Sequence, residues 1–137
     1  MLLLLDTHVL VWLLQGAERI SEPVYDQIQS AGDASSLLVS AITPWEIAVL
    51  VSKKRLRLET DVQVWINTAL SLPGVRLQPL WPEIAVASTR LPWEMHSDPA
   101  DRILVATARH LGATLVTADE QLLRYAAEGN LRCKAAS

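Results

Sequence analysis

Residues 2–8 read LLLLDTH, and this stretch decides the fold. A continuous aliphatic run is typical of a strand buried on both faces in the middle of a parallel sheet, whereas a strand with one face in water alternates apolar and polar residues. Leu2 to Leu5 is therefore predicted to be a central strand. Asp6 follows it directly. An ionised carboxylate at the edge of an apolar core is unfavourable without a cation, hydrogen-bond donors or water beside it, so a partner for Asp6 is expected.

Strands and helices alternate along the rest of the chain. The further predicted strands are Ser36 to Ser40, Val75 to Gln78, Thr114 to Val116 and, at an edge of the sheet, Leu131 to Cys133. The predicted helices are Val9 to Leu14, Ser21 to about Ala31, Thr43 to Lys53, Asp61 to Leu70, Pro82 to Arg90, Asp98 to Gly112 and a last helix ending near Glu128. This order predicts an α/β fold, a three-layer α/β/α sandwich with a central parallel sheet.

The length and composition suit one globular domain spanning residues 1–137. Half of the residues are hydrophobic and a fifth are charged, and no apolar run approaches the roughly 18 residues of a membrane span. The leucine run is too short for a secretory signal and lacks a basic segment before it. Cys133 is the only cysteine, which excludes an intrachain disulfide. We expect a cytoplasmic protein without a membrane partner.

The formal net charge of −3 argues at first against a nucleic-acid partner, because phosphate backbones attract Lys and Arg. That argument depends on where the acidic residues lie. If four carboxylates serve as metal ligands, 11 of the 15 acidic residues remain against 12 basic ones. The rest of the protein is then close to neutral, and RNA is not excluded.

Four acidic residues are predicted to meet at one edge of the sheet. In a parallel sheet the carboxyl ends of the strands and the amino ends of the helices that follow them share an edge, where ligands bind. Asp6 and Asp119 follow predicted strands, while Glu46 and Asp101 lie in the first turns of predicted helices. Four ionised carboxylates cannot approach one another without compensating cations. The sequence therefore predicts a metal site.

Each of these acids also has a local structural explanation. Thr43 to Glu46 reads TPWE, a capping box in which the glutamate reaches back to the start of the helix, and taken alone this explanation is the better one for Glu46. Asp98 is a good N-cap with Pro99 as first helical residue, and Asp101 then only complements the helix dipole. Asp119 is a candidate cap for the last helix. Asp6 is harder to explain in this way, because Thr7 could cap that helix.

An all-oxygen site without a Cys/His cluster favours Mg²⁺ or Mn²⁺ over zinc. One or two such ions, held by carboxylates, suit the hydrolysis of a phosphodiester. The hydroxyls of Thr7, Ser40 and Thr117 are candidates for binding substrate or contacting the acids, although hydroxyls at strand ends often form turns. The three histidines His8, His96 and His110 are assigned no chemistry.

Four segments together resemble the PIN-domain family, and most of all its VapC-type ribonuclease toxins of type II toxin–antitoxin pairs. They are DTH at Asp6 to His8, SAITPWEIAVL at Ser40 to Leu50, DPADRILVATA at Asp98 to Ala108 and LVTADE at Leu115 to Glu120. Each motif alone is weak, but the ordered set spans nearly the whole chain and is specific.

The resemblance implies a Mg²⁺- or Mn²⁺-dependent endoribonuclease whose acidic residues map onto Asp6, Glu46, Asp101 and Asp119. Asp101 matches the family acid rather than Asp98. Thr117 matches a hydroxyl position often found beside the last aspartate. Similar toxins are commonly homodimers, each held inactive by a small antitoxin whose C-terminal segment covers the acidic site. His8 and Asp98 receive no role from the resemblance.

Two other functions compete with RNA cleavage. Aspartate-nucleophile phosphatases also place an aspartate after the first strand, but their second aspartate two residues later is replaced here by His8. The other alternative is a non-catalytic signalling or PIN-like binding module. Retention of all four acids argues against it.

Overall fold

A computed structural model describes residues 1–137 and contains one five-stranded, all-parallel sheet in the order β3-β2-β1-β4-β5. The strands are β1 (Leu3–Leu5), β2 (Leu37–Ser40), β3 (Val75–Gln78), β4 (Thr114–Thr117) and β5 (Cys133–Ala135). The helices are α1 (Thr7–Gln15), α2 (Glu22–Asp33), α3 (Ile42–Ser52), α4 (Val62–Leu70), α5 (Pro82–Ala87), α6 (Pro99–Leu111) and α7 (Glu120–Tyr125). None of these helices combines the length and the apolar character that crossing a membrane requires.

Strand β1 is central and buried on both faces, as its unbroken leucine run predicts. Leu3 and Leu5 point into one apolar cluster, which includes side chains of α1, α2 and α4, whereas Leu4 points into a second cluster formed with α6 and α7. The helices therefore cover both faces of the sheet. This arrangement confirms the three-layer α/β/α fold class.

The strand order creates a switch point between β1 and β4. The chain moves outward from β1 through β2 to β3 and then returns to the other side of β1 to form β4 and β5. In open α/β sheets, ligands bind in the crevice beyond the carboxyl ends of the strands at such a point. Asp6 follows β1, and Asp119 lies two residues after the end of β4.

Three predicted boundaries were wrong, the first being the end of the last helix, because α7 ends at Tyr125 instead of near Glu128. The last strand is Cys133–Ala135 instead of Leu131 to Cys133, because a wide turn at Ala126–Asn130, with Gly129 at φ 90°, delays the strand and Leu131 packs into the core. Helix α5 ends at Ala87 instead of Arg90. The backbone N–H groups of Thr89 and Arg90 donate to the carbonyls of Val86 and Ala87, three residues earlier, so the chain continues as tight turns and not as α-helix. None of these changes affects the parallel order of the strands.

Candidate active site

Asp6 lies at the end of β1, almost completely buried, with both carboxylate oxygens accepting hydrogen bonds. Its Oδ1 accepts from the backbone N–H of Thr7 at 2.7 Å and its Oδ2 from the hydroxyl of Thr117 at 2.6 Å. Burial raises the pKa of Asp6, the two hydrogen bonds lower it, and the charge of Asp119 raises it further. The expectation that Thr7 could cap α1 was wrong: Asp6 itself is the N-cap residue and Thr7 is the first helical residue.

Thr117 joins the two acids that follow β1 and β4. Its hydroxyl donates to Asp6 and accepts from the backbone N–H of Asp119 at 3.0 Å, and its side chain is completely buried. Asp119 is the N-cap of α7, where its Oδ1 accepts from the N–H groups of Gln121 and Leu122. Its Oδ2 makes no hydrogen bond. Asp119 therefore caps α7 with one oxygen, as predicted, and also lies at the edge of the sheet where β4 ends.

The Glu46 carboxylate bonds to a residue of α1, whereas the capping-box interpretation requires a bond to the start of its own helix, α3. Helix α3 begins at Ile42, so Thr43 is the second helical residue instead of the cap, and the capping box is wrong. The Oε1 atom of Glu46 accepts a hydrogen bond from the Thr7 hydroxyl of α1. Burial raises the pKa of Glu46, and the charges of Asp6 and Asp98 raise it further, while the Thr7 hydrogen bond lowers it.

Ser40 makes no contact with the acids. Its Oγ accepts from the backbone N–H of Ile42 at 3.1 Å, where it closes the turn between β2 and α3. The structure thus gives it the turn-forming role that strand-end hydroxyls often have. Its predicted role toward substrate stays a prediction.

Asp98 and Asp101 lie one helical turn apart at the start of α6. Asp98 is the N-cap, and its Oδ1 accepts from the backbone N–H of Asp101 at 3.0 Å. The Oδ2 of Asp101 lies 2.7 Å from His96 Nε2. The pKa of Asp101 is raised to about 6, chiefly by burial; the His96 hydrogen bond opposes this increase, and the charges of Asp98 and Asp6 add to it.

Three of these carboxylates meet closely enough to share a cation. One oxygen each of Glu46, Asp98 and Asp101 lies within 4.8 Å of the others. In each residue one oxygen accepts a hydrogen bond from the protein and the other accepts none. The free oxygens are carboxylate ligands of the kind that hard divalent cations prefer, so the donor set fits such an ion.

Asp6 and Asp119 lie outside this group of three. Asp6 is nevertheless close enough for its charge to raise the pKa of both Glu46 and Asp101. The predicted acids therefore lie together at the sheet edge where such folds have their ligand crevice. The closest group of three, however, includes Asp98 and not Asp6 or Asp119. The catalytic and metal-binding roles of Asp6, Glu46, Asp101 and Asp119 stay predictions.

Sequence reasoning missed two residues of the site. Asp98 was assigned only to capping, yet its three-residue spacing from Asp101 on a helix start places both carboxylates on one side and could have indicated a pair. His96 was assigned no chemistry. Its contact with Asp101 depends on the path of an irregular loop, for which the sequence carries no periodic signal. His8 is exposed and makes no side-chain hydrogen bond.

Comparison with known proteins agrees with this fold. Residues 3–128 match the PIN domain. The chain is 34% identical over 119 residues to Ribonuclease VapC22 of Mycobacterium tuberculosis, a match that covers 87% of this chain and 88% of that protein. This degree of identity over most of both chains confirms the resemblance found in the motifs.

Solved structures share the architecture. The structure of VapBC2 from Rickettsia felis, bound to a DNA fragment from their promoter, gives a TM-score of 0.72 at 18% identity and covers 98% of both chains. DNA-bound VapBC from Salmonella typhimurium gives a TM-score of 0.69 at 16% identity, again over 98% of both chains. At these identities the likeness establishes a common fold. Together with the sequence matches, it shows that the chain belongs to the PIN domain family.

Proposed function

We propose that the protein is a metal-dependent endoribonuclease that hydrolyses RNA phosphodiester bonds at this crevice. The observation that carries the proposal is the approach of carboxylate oxygens of Glu46, Asp98 and Asp101 to within 4.8 Å of one another, beside the buried carboxylate of Asp6. Such a set of acids is electrostatically unfavourable unless a cation neutralises it. The 34% identity to a protein described as a ribonuclease supports the choice of substrate.

The residues that would hold the cation are Asp6, Glu46, Asp101 and Asp119, with Asp98, which lies close to Glu46 and Asp101, as an additional candidate. The all-oxygen donor set favours Mg²⁺ or Mn²⁺, as one or two ions. When bound, the ion would supply a Lewis acid for an attacking water and for the charge that develops on the phosphate.

The chain's own hydroxyls fix the acids for this task. Thr7 donates its hydroxyl to Glu46 and its backbone N–H to Asp6, and Thr117 holds Asp6 from the opposite side. These contacts orient both oxygens of Asp6 and one oxygen of Glu46, since hydrogen bonds to the ligating groups of a metal site set their direction and basicity. The free oxygen of Glu46 remains available to the ion or to the proton of an attacking water.

We further infer the biological setting from the resemblance to VapC-type toxins. In this setting the protein acts in the cytoplasm as the toxin of a toxin–antitoxin pair, as a homodimer restrained by a small antitoxin. The likeness to the two VapBC structures supports this inference. Co-expression with the protein of the neighbouring reading frame, followed by size-exclusion chromatography and cleavage assays, would test both the partner and the inhibition.

The decisive experiment measures cleavage of a structured RNA in Mg²⁺, in Mn²⁺ and in EDTA, with Asp6→Asn beside the wild type. We expect metal-dependent cleavage that Asp6→Asn abolishes. Asp26→Asn is the matched control, because Asp26 is an exposed acid on α2 that makes no hydrogen bond through its side chain. Cleavage that persists in EDTA or in Asp6→Asn would refute the site.

The same reagents separate the alternatives. An aspartate-nucleophile phosphatase would form a covalent phosphoryl-aspartate with a small phosphodonor, and the exposed His8 offers no second carboxylate for that chemistry. A non-catalytic binding module would bind RNA or protein without cleavage. Absence of Mn²⁺ binding in calorimetry would favour the binding module.

A further inference from the structure

A second polar cleft opens beside the acidic crevice, between α7 and the loop of residues 91–98 that precedes α6. Its volume is about 230 Å³, and its lining includes Glu94, His96, Gln121, Arg124, Tyr125 and Glu128. His96 contacts Asp101, and the backbone N–H of Gln121 contacts the Asp119 carboxylate. The cleft thus adjoins two of the candidate site acids directly.

Both walls of this cleft are held in place by tertiary contacts. The hydroxyl of Tyr125, a buried residue of α7, donates to the carbonyl of Pro92 at 2.6 Å. Arg102 of α6 donates to the carbonyls of Ser88 at 2.8 Å and Met95 at 3.1 Å, which fixes the other end of the loop. A cleft with fixed walls requires little ordering when a ligand enters.

The charged side chains that line the cleft form no hydrogen bond or ion pair with one another. Arg124 uses only its Nε atom, on the carbonyl of Glu120, so its terminal nitrogens make no hydrogen bond. Neither Glu94 nor Glu128 forms an ion pair, because the His96–Asp101 contact is the only one in the structure. All three side chains are exposed at the cleft. The cleft therefore offers free donors and free acceptors together.

This mixture suits a nucleobase better than a phosphate. Two carboxylates against one guanidinium give the charged lining a net negative charge, which repels a phosphate. Guanine presents acceptors at O6 and N7, which arginine recognises, and N–H donors on its pairing edge, which carboxylates accept. Sequence-specific proteins read unstacked RNA bases through such edges.

We propose that this cleft binds a guanine base of the RNA strand next to the scissile phosphate, with Arg124 facing O6 and N7 and Glu94 and Glu128 accepting from the pairing edge. The inference rests on the proposed ribonuclease function and names the nucleotide that the site selects. It makes Arg124, Glu94 and Glu128 specificity residues outside the acidic machinery.

The test uses short RNAs that carry each of the four bases at the positions flanking a mapped cleavage site. For the wild type we expect kcat/KM to be about tenfold higher with guanine at one flanking position, within the range of a good bidentate base contact. The variants Arg124→Met and Glu94→Met/Glu128→Met, in which methionine keeps the length of the side chain and removes the acceptor oxygens, should lose most of this preference while they retain cleavage of the other three RNAs. Glu18→Met/Glu22→Met, at two exposed acids near the start of α2, is the matched control.

The possible failures are distinguishable. If the wild type cleaves RNA without preference, or if the glutamate variants keep a guanine preference, the cleft assignment is overturned while the nuclease function stands. An equal loss on all four RNAs in Arg124→Met would make Arg124 a phosphate contact and would also overturn it. Absence of cleavage of any RNA by the wild type would refute the proposed function and this inference with it.

Discussion

The hydroxyl of Thr117 donates to Asp6 Oδ2 at 2.6 Å and, through the same oxygen, accepts from the backbone N–H of Asp119 at 3.0 Å. One side chain at the end of β4 thereby ties together the acids that follow two neighbouring strands. We expect Thr117→Val to lower the free energy of unfolding by about 1–3 kcal/mol, because it leaves buried polar groups without partners. RNA cleavage should fall with it.

Thr117→Ser is the matched variant, since it keeps the hydroxyl and removes only a methyl group. Urea denaturation and kcat/KM for RNA cleavage, measured for both variants, check the prediction. A valine variant as stable and as active as the wild type would mean that the hydroxyl does not contribute, and a loss confined to the serine variant would assign the effect to packing of the methyl group.

Asp6→Asn is expected to separate activity from stability. The asparagine side chain keeps an oxygen that can accept from Thr7, and its NH2 group replaces the Oδ2 acceptor of Thr117 by a donor to the Thr117 oxygen. The substitution also removes a carboxylate whose pKa burial raises. A group whose charged form is disfavoured by burial lowers the stability of the folded protein at neutral pH, so its neutral analogue should unfold at the same temperature as the wild type or a higher one. Cleavage should be abolished.

Calorimetric scans in EDTA at pH 7 test this prediction. Asp26→Asn, on the exposed surface of α2, should leave both the melting temperature and the activity unchanged. A melting temperature that drops by several degrees in Asp6→Asn would show that the ionised carboxylate stabilises the fold.

The free energy of unfolding of the metal-free protein should depend on pH because of Asp101. Its pKa is raised from 3.8 to about 6, chiefly by burial. Between these values the folded protein holds a proton that the unfolded chain has lost, so the free energy of unfolding falls as the pH rises from about 4 to 6. The raised pKa values of Asp6 and Glu46 act in the same direction.

A divalent cation that binds the ionised acids should reverse this loss by mass action. We therefore expect Mn²⁺ to raise the melting temperature more at pH 7 than at pH 4.5. Thermal melts of wild type and Asp101→Asn across this range, in EDTA and in Mn²⁺, isolate the contribution of Asp101. A melting temperature in EDTA that varies with pH identically in the two proteins would contradict the prediction.

The sequence predicts which acids lie at the carboxyl-end edge of the sheet, but it does not predict which side chains those acids contact. The run before Asp6 and the buried strand before Asp119 place both acids at the same edge of a parallel sheet, because strand direction alone determines that edge. Glu46 was misread because TPWE satisfies a local rule, while the actual partner of Glu46 is Thr7, 39 residues earlier in the chain. Local patterns carry no information about such a distant partner.

His96 shows the same limit more sharply. The loop that carries it is positioned by Arg102 and Tyr125, which bind loop carbonyls from α6 and α7. Backbone carbonyls are acceptors in every residue, so the sequence does not distinguish the ones that these side chains select. Only the packed structure brings His96 to Asp101.

His96 should matter for cation binding more than for folding. It lies 2.7 Å from Asp101 Oδ2 and leaves the other oxygen free. Loss of a partner that orients a ligating carboxylate typically weakens metal binding about 10- to 100-fold. We expect this loss of Mn²⁺ affinity in His96→Ala, measured by titration calorimetry, and partial recovery in His96→Gln, whose amide can donate to the same oxygen.

His110→Ala is the matched control, because His110 is exposed at the far end of α6, packs edge-on against the ring of Trp81 and makes no side-chain hydrogen bond. An unchanged Mn²⁺ affinity in His96→Ala would mean that the Asp101 carboxylate is held sufficiently by its own helix.

Gly74, which precedes β3, should be the glycine least tolerant of substitution. It has φ 79°, and a Cβ atom built there would lie 1.6 Å from the carbonyl oxygen of Gly32 at the end of α2. Gly74→Ala therefore combines a left-handed backbone, unfavourable by about 1–2 kcal/mol, with a backbone clash that forces the turn before β3 away from the end of α2.

Gly112→Ala is the matched control. At φ 66° it has no atom within 4 Å of the added carbon, so it isolates the contribution of the left-handed backbone. We expect urea denaturation to show a loss of about 3–5 kcal/mol for Gly74→Ala and only about 1–2 kcal/mol for Gly112→Ala. Equal losses in the two variants would mean that the α2 and β3 loops separate at little energetic cost, and the close approach of Gly32 to Gly74 would then contribute nothing to holding β3 at the edge of the sheet.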